Sequence, residues 1–402
     1  MSPRRVLAAL ALAELLAMAP WFSASAVAPT LVRIWRLTGT GAAWLTISVQ
    51  LGFVVGAVTS AAFTLADRWS ARRLVAGAAT LAGLATFGVV AAPGPRVAIA
   101  LRFATGAALA AVYPPGMKIA AGWFREARGW AIGIVVGALT VGSAAPHLVR
   151  ALVPAEQWRA VLEVAGASAL AGALLVLRVP SDGPYATPSP AFDWTAAPRI
   201  LKDRAVLLAN CGYLGHMWEL YAMWTWLAVF VTQSERARLG SDAVAGTVPA
   251  LVTFVVVASG ALGCWLAGAG ADRWGRTLIT SAAMAVSGCC ALVVGTLFGK
   301  PLALLAPLLV LWGVTIVADS AQFSTAVSEL APREYVGTAL TLQTSLGFLL
   351  TCVTIYVLPA VAARWGWRWS MVVLAPGPAL GVAAMLALRR RPEAARLAGG
   401  RR

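Results

Sequence analysis

Charge is what this chain has least of. Asp, Glu, Lys and Arg make up 12% of its 402 residues, while 60% are hydrophobic and the mean hydropathy is +0.78. A soluble domain carries about 25% charged residues, so the shortage excludes a water-soluble globular protein of this length. Acids are scarcer than bases, 16 against 32, for a net charge of +16. In a soluble protein that balance would point to nucleic acid. In an apolar chain it reads as the Lys/Arg excess that collects in loops on one side of a bilayer, so the expected partner is lipid and not nucleic acid. There are only two histidines and five cysteines. Cys211, Cys264, Cys289, Cys290 and Cys352 all fall inside apolar runs, with no metal-ligand spacing to a histidine. Neither a metal nor a cofactor is expected. The Gly-x4-Gly-Lys-Ser/Thr loop that cradles a nucleotide phosphate is missing too, and the chain is read as no enzyme.

What is present is a succession of apolar runs, each near the twenty residues or so that a membrane-spanning helix needs. Twelve are expected: 6–28, 43–66, 73–91, 97–120, 129–149, 159–178, 205–231, 244–270, 277–298, 302–325, 335–358 and 367–388. The first has some features of a secretory signal, with Arg4-Arg5 ahead of it and small residues at Ser25–Ala28. Glu14 interrupts it and it is long enough to span, so it is read as the first helix. The long polar break, 179–204, holds Pro180, Pro184, Pro188, Pro190 and Pro198, which reads as a linker. The expectation is an all-α polytopic membrane protein: a six-helix bundle over 1–178, a linker over 179–204, and a second six-helix bundle with a basic tail over 205–402. Twenty of the Lys and Arg residues fall on the side of the N-terminus, ten on the other, and Arg102 and Lys118 within a span. That bias puts both termini in the cytoplasm of a cell with this chain in its inner membrane.

The two halves carry matching loops. Asp67-Arg68-Trp69 and Asp272-Arg273-Trp274 are 205 positions apart, each between one apolar run and the next. Arg125–Ala131 and Arg333–Ala339 agree at four of seven positions, 208 apart. Two loops alike in order, spacing and membrane side indicate a duplicated chain.

On these residues the chain resembles the major facilitator superfamily over nearly its whole length. That family's loop between the second and third helices reads Gly-x-x-x-Asp-Arg/Lys-x-Gly-Arg-Arg/Lys. Gly268, Asp272, Arg273, Gly275 and Arg276 fit it, and Thr277 departs. In the first half Asp67, Arg68 and Arg72 fit, whereas Phe63, Ser70 and Ala71 replace the two glycines and an arginine. The resemblance implies twelve helices in two bundles about a pseudo-two-fold axis along the membrane normal, and a latch for one conformation at these loops. Small residues allow close helix approach, which is the role expected of Gly268. Arg102 and Gly106 resemble the family's Arg-x-x-x-Gly of the fourth helix, and Gly133, Gly137, Gly142 and Pro146 part of its glycine-rich antiporter pattern. Packing alone accounts for the latter, so no antiport is inferred from it.

Charges inside spans are the sharper signal, since each costs about 2.5–3.5 kcal/mol at a helix centre on insertion scales and so faces the protein interior. Glu14 shares a helical face with Met18, Trp21 and Ser25, and Arg102 shares one with Gly106 and Tyr113. His216 and Glu219 are one turn apart, with Tyr213 and Met223 nearby; Trp312, Thr315, Asp319 and Gln322 make a polar stripe. These four spans are the first and fourth of each half, which line the central cavity in the family. Arg102, Tyr113, Trp21, Trp218 and Gln322 are the candidates for solute binding, with Arg102 holding an anionic group. Glu219, His216, Asp319 and Glu14 are the candidates for proton coupling, with Glu219 the principal carrier and His216 its titrating partner.

The function expected is alternating-access secondary transport of a small polar or anionic solute, coupled to H+, by a monomer. The alternatives are a proton-antiport efflux pump for amphipathic compounds and a receptor or scaffold that has lost transport. Reporter fusions test the topology. Fusions at Pro190 and at the C-terminal end are expected to report cytoplasm and one at Arg236 the exterior; an exterior signal at Pro190 overturns the two-halves arrangement.

Overall fold

In hydrocarbon every backbone N–H and C=O has to find its partner within the protein, which leaves helices or a closed barrel as the ways across. The structure, a computed structural model, describes residues 2–124, 128–186, 192–240 and 246–401. Among them the apolar runs form helices and no strand occurs. The spans are α1 (Pro3–Met18), α2 (Gly39–Ala62), α3 (Ala71–Val90), α4 (Pro95–Trp123), α5 (Arg128–Leu152), α6 (Ala155–Val176), α7 (Arg204–Leu239), α8 (Thr247–Trp274), α9 (Arg276–Leu297), α10 (Leu302–Leu330), α11 (Arg333–Trp365) and α12 (Trp367–Arg389).

Ten of these are long and apolar enough to cross a membrane by length and composition. The other two are α1 and α7, the first helix of each half. α1 is only 16 residues long because the chain leaves the helix at Ala19–Phe22, then resumes in short helices at Ser23–Ala26 and Ala28–Trp35. α7 runs unbroken for 36 residues but carries Asn210, His216, Glu219 and a charged last turn. Its ends are well specified. Asp203 Oδ1 accepts from the N–H groups of Ala205 (2.9 Å) and Val206 (3.0 Å), and Gly240 closes the other end in the left-handed region at φ 64°.

Two further breaks complete a pattern. α4 stops at Leu109 and restarts at Tyr113, where Pro114 and Pro115 occupy a first turn that needs no N–H donors. α10 stops at Ile316 and restarts at Ser320, with Asp319 at the junction. Of the first and fourth helices of the two halves, three are thus broken and α7 is continuous.

Within the first bundle α2 packs on α4 and α1 on α5 and α6; within the second α7 packs on α11 and α12 and α8 on α10. The bundles meet where α2 lies against α11 and α5 against α8. The α2–α4 contact is backbone to backbone: a methyl group on Gly106 would run into Val49 O, and one on Gly52 into Phe103 O. The linker, the α2–α3, α8–α9 and α10–α11 loops and the tail share one face, here the linker face. Asp193 N–H donates to Thr338 Oγ1 (2.9 Å), and Thr195 donates to Asp193 Oδ1 through its hydroxyl (2.6 Å) and its N–H (2.8 Å). The Thr195 hydroxyl and N–H hold the Asp193 carboxyl below the usual carboxylate range. Most of the first copy of the α4–α5 loop motif, and Pro188 and Pro190, lie outside the described residues.

Gly106→Ala is therefore expected to cost about 1–3 kcal/mol through overpacking and to lower the thermal midpoint in detergent. Gly77, with no atom within 4 Å of an added Cβ, is the control: Gly77→Ala leaves the midpoint unchanged or raises it, since Ala favours the helix. Equal effects of the two substitutions count against the close α2–α4 contact.

Candidate functional site

The break in α1 is held chiefly by one side chain from another helix. Arg102, on α4, is fully buried. Its Nη1 donates to Pro20 O (2.6 Å) and Ser23 Oγ (3.3 Å), its Nη2 to Trp21 O and its Nε to Leu45 O (3.3 Å). Leaving the helix at residue 19 takes carbonyls out of the regular helical ladder; Pro20 O also accepts from the N–H (3.4 Å) and hydroxyl (2.9 Å) of Ser23, and the five rigidly arranged donors of a guanidinium are suited to complete the set. Expected to hold an anionic group of the solute, Arg102 instead directs its guanidinium at backbone carbonyls. Periodicity placed its face correctly but could not tell a cavity from a broken neighbouring helix.

Three more buried ionisable side chains lie on α7 and at the α10 break. His216 Nδ1 on α7 lies 2.8 Å from Asp319 Oδ1 at the α10 junction, and both side chains are 1% exposed. Glu219, one turn from His216, turns the other way: Oε1 accepts from Trp312 Nε1 (2.7 Å) and Oε2 from Ser287 Oγ (2.6 Å). His216 is thus set against Asp319 and not against the Glu219 expected to titrate with it. The polar stripe of α10 is real but divided, since Trp312 serves Glu219, Asp319 meets His216, and Gln322 turns to a third partner described below. Sequence reading missed Ser287, one of five hydroxyl residues in the 277–298 run and not marked out among them.

On the first bundle Glu14 is 1% exposed, and neither of its oxygens has a hydrogen-bond partner. It lies over Gly116, where an added Cβ would come within 2.7 Å of Oε2. Tyr113, at the restart of α4, is within electrostatic range of Glu14 and of Cys264 on the opposite bundle. Further along α1, Trp21 joins an aromatic cluster that crosses between the bundles. Its ring centroid is 5.1 Å from Phe53, 5.6 Å from Phe348 and 5.8 Å from Tyr221, and Phe53 and Phe348 are 4.4 Å apart. Trp218 stands apart: its Nε1 donates to Val373 O (2.9 Å), tying α7 to the start of α12.

On the linker face the second-half motif is organised by Arg276. It grips Glu329 at the end of α10 through two parallel bonds, Nε to Oε2 (2.8 Å) and Nη2 to Oε1 (2.7 Å), and Nη1 donates to Gln322 Oε1 (2.8 Å). Asp272 is a weaker partner at 3.8 Å and is largely exposed. Gln322, expected at the solute, is committed here. Gly275 is needed for its backbone, at φ 95°. Gly268 has open space around it, so close helix approach does not explain that glycine. Arg273 lies over its neighbour Trp274 at 5.3 Å. In the first half Ala71 stands in the place of Arg276, and the linker substitutes. Asp182 accepts from the N–H groups of Ala71 (2.8 Å) and Arg72 (3.1 Å), and Arg72 Nη1 donates to Val179 O (2.9 Å). Arg68 is exposed at the end of a short helix, Leu65–Arg68. The side chain of Asp67 lies outside the described part of the structure.

With this arrangement in view, comparison with known proteins is direct. The family model described as Major Facilitator Superfamily matches residues 10–355. Among solved structures, the chain is similar to a bacterial homologue of the human lysosomal transporter Spinster in an inward-facing, occupied conformation, with a TM-score of 0.74, 14% identity, and 96% of this chain and 97% of that one covered. It is also similar to the proton:xylose symporter XylE (TM-score 0.72, 14% identity, 96% and 94% covered) and to the nucleoside transporter NupG (0.69, 15%, 95% and 99%). At these identities the likeness is one of fold. A search of curated protein sequences gave no match.

Arg102→Lys is expected to behave like Arg102→Leu, because one ammonium cannot reach carbonyls on both α1 and α2. Both variants should lower the thermal midpoint by a similar amount, corresponding to about 2–5 kcal/mol. Full stability of the lysine variant would show that charge alone, and not the guanidinium fork, holds the break.

Proposed function

Since the chain belongs to the Major Facilitator Superfamily, we propose that it is a secondary active transporter that moves a small polar solute by alternating access and draws on protons to do so. The observation that carries the reading is the His216–Asp319 contact, 2.8 Å long and buried at 1% exposure on both sides, at the break in α10. A carboxylate at such a site is tolerated while its partner is charged and becomes costly when the partner is not. Adding or removing one proton therefore changes the relative free energy of the two conformations if only one of them lets water reach the pair. That difference is what a coupled transporter requires. Glu219 was the first candidate for this role. Its two hydrogen bonds inside its own bundle make it the better satisfied group, so the coupling role goes to the pair.

The solute is read as polar because both bundles keep buried hydrogen-bonding groups without a partner, among them Gln50 and the indole N–H of Trp21 in the first and Asn210 and Gln343 in the second. Arg102 is spent on α1, which weighs against an anionic solute. The linker face is read as cytoplasmic, on the two-to-one excess of Lys and Arg on that side. The aromatic cluster of Trp21, Phe53, Tyr221 and Phe348 favours one second reading, proton antiport of amphipathic compounds.

Reconstituted vesicles carrying a pH-sensitive dye test both readings, with sugars, nucleosides and amines added in turn. Solute-triggered proton movement in the direction of the solute supports symport, and movement against it supports antiport. Asp319→Asn is expected to keep solute exchange while losing most of the uphill accumulation driven by a pH gradient. Wild-type accumulation in that variant overturns the assignment of the pair.

A further inference from the structure

The three buried mid-span carboxyls of this chain are not equivalent. Glu219 accepts two hydrogen bonds and Asp319 faces an imidazole, whereas Glu14 has no partner for either oxygen. The guanidinium that could have neutralised Glu14 within its own bundle is turned to Pro20, Trp21, Ser23 and Leu45. The missing partner is not a matter of exposure, since Glu14 is 1% exposed. Its carboxyl packs directly over Gly116, where an added Cβ would lie 2.7 Å from Oε2. Tyr113, at the restart of α4, is within electrostatic range of the carboxyl and also of Cys264 on the opposite bundle.

A second polar group close by in the chain is also unused. Trp21, in the turn that follows α1, has a buried indole N–H without an acceptor. Its ring forms one wall of the aromatic cluster with Phe53, Tyr221 and Phe348. A carboxyl with no donor at one end and electron-rich ring faces at the other make a site with a definite preference. The carboxyl needs N–H donors and a compensating positive charge. The rings attract a cation by their faces and cover an apolar body. An anionic solute would add a second negative charge where the first is uncompensated.

We propose that Glu14 anchors a protonated amine of the transported solute, with the solute's apolar body against the rings of Trp21, Phe53, Tyr221 and Phe348. The proposal rests on the transporter reading and narrows it to amine-bearing solutes of arylalkyl type. Gly116 is then a specificity residue: the carboxyl occupies the space a side chain there would take, and a methyl group forces Oε2 to move.

Binding by the purified full chain, read by thermal shift and calorimetry with no pH gradient, tests this with three probes of one shape. They are 2-phenylethylamine, its uncharged N-acetyl derivative, and the anion 3-phenylpropanoate. The amine is expected to bind and raise the thermal midpoint, and the other two are not. Glu14→Gln should weaken amine binding about thirtyfold or more, the loss that removal of a buried charge partner produces, without lowering the midpoint of the free protein. If that variant fails to fold, Gly116→Ala carries the test and should weaken the amine while leaving the fold intact. No binding of the amine to the wild type, binding of 3-phenylpropanoate as tight as that of the amine, or unchanged amine affinity in Glu14→Gln each overturns the proposal. Because no gradient is applied, a failure of proton coupling at Asp319 does not enter the result, and the two readings fail separately.

Discussion

A helix that breaks inside a hydrocarbon layer leaves carbonyls with no water to turn to, and here one guanidinium supplies the missing donors. Arg102 reaches Pro20, Trp21 and Ser23 at the break of α1 and Leu45 on α2. Without it Trp21 O would lose its donor and Pro20 O would be left with Ser23 alone, and a buried carbonyl left unsatisfied costs roughly 1–3 kcal/mol. With it, α1 can change direction. Glu14 then lies ahead of the break and Trp21 within it, and the aromatic cluster can form against Phe348 and Tyr221 of the second bundle. The buried arginine thus shapes the break, its donors directed at the protein's own oxygens.

The duplicated halves solve one mechanical problem differently. The second keeps the motif whole, so that Arg276 clamps Glu329 and Gln322 and ties the start of α9 to the end of α10. The first has Ala71 in the arginine's place and cannot make that clamp. Its α3 is held instead at the N-terminus by Asp182, a linker carboxylate that meets two free N–H groups and the positive end of the helix dipole. The tail reinforces the second half: Ala398 N–H donates to Glu329 (3.1 Å), Arg401 donates to Asp272 O, and Leu397 is fully buried. A motif weakened in one copy is replaced by a contact from elsewhere in the chain, which is why the linker packs closely in spite of its prolines.

The fold class was legible because it depends on quantities that a sequence displays directly, namely the length of apolar runs and the side on which Lys and Arg collect. Broken α4 was legible for the same kind of reason, since Pro114-Pro115 cannot continue a helix. The break in α10 carries no proline or glycine and was not seen. At the site, helical periodicity gave the inward faces of α1, α4, α7 and α10 correctly but said nothing of the neighbour across each face. His216 and Glu219 lie one turn apart and look like a pair. Three residues on an α-helix turn a side chain through about 300°, and that offset suffices to send one to Asp319 and the other to Ser287 and Trp312. Gln322 was misjudged in the same way, because the arginine that takes it lies 46 positions away in sequence.

The contrast between what is tied and what is loose bears on how such a molecule could move. Each ion pair named above joins residues of one bundle. Between the bundles the contacts are rings, as at Phe53 and Phe348, and small residues, as where Gly137 faces Ala261 and Gly260 faces Thr140. Surfaces of this kind give up dispersion and apolar burial when they part, and these losses accumulate gradually with area. Parting a buried ion pair instead costs several kcal/mol at once. The ion pairs named here therefore lie within one bundle, while rings and small residues meet between the two. Unpaired polar groups such as Glu14 and Gln343 fit the same logic. In a rigid interior they would be defects, but beside a surface that opens they are groups to which water or a solute can be admitted in one conformation and refused in the other.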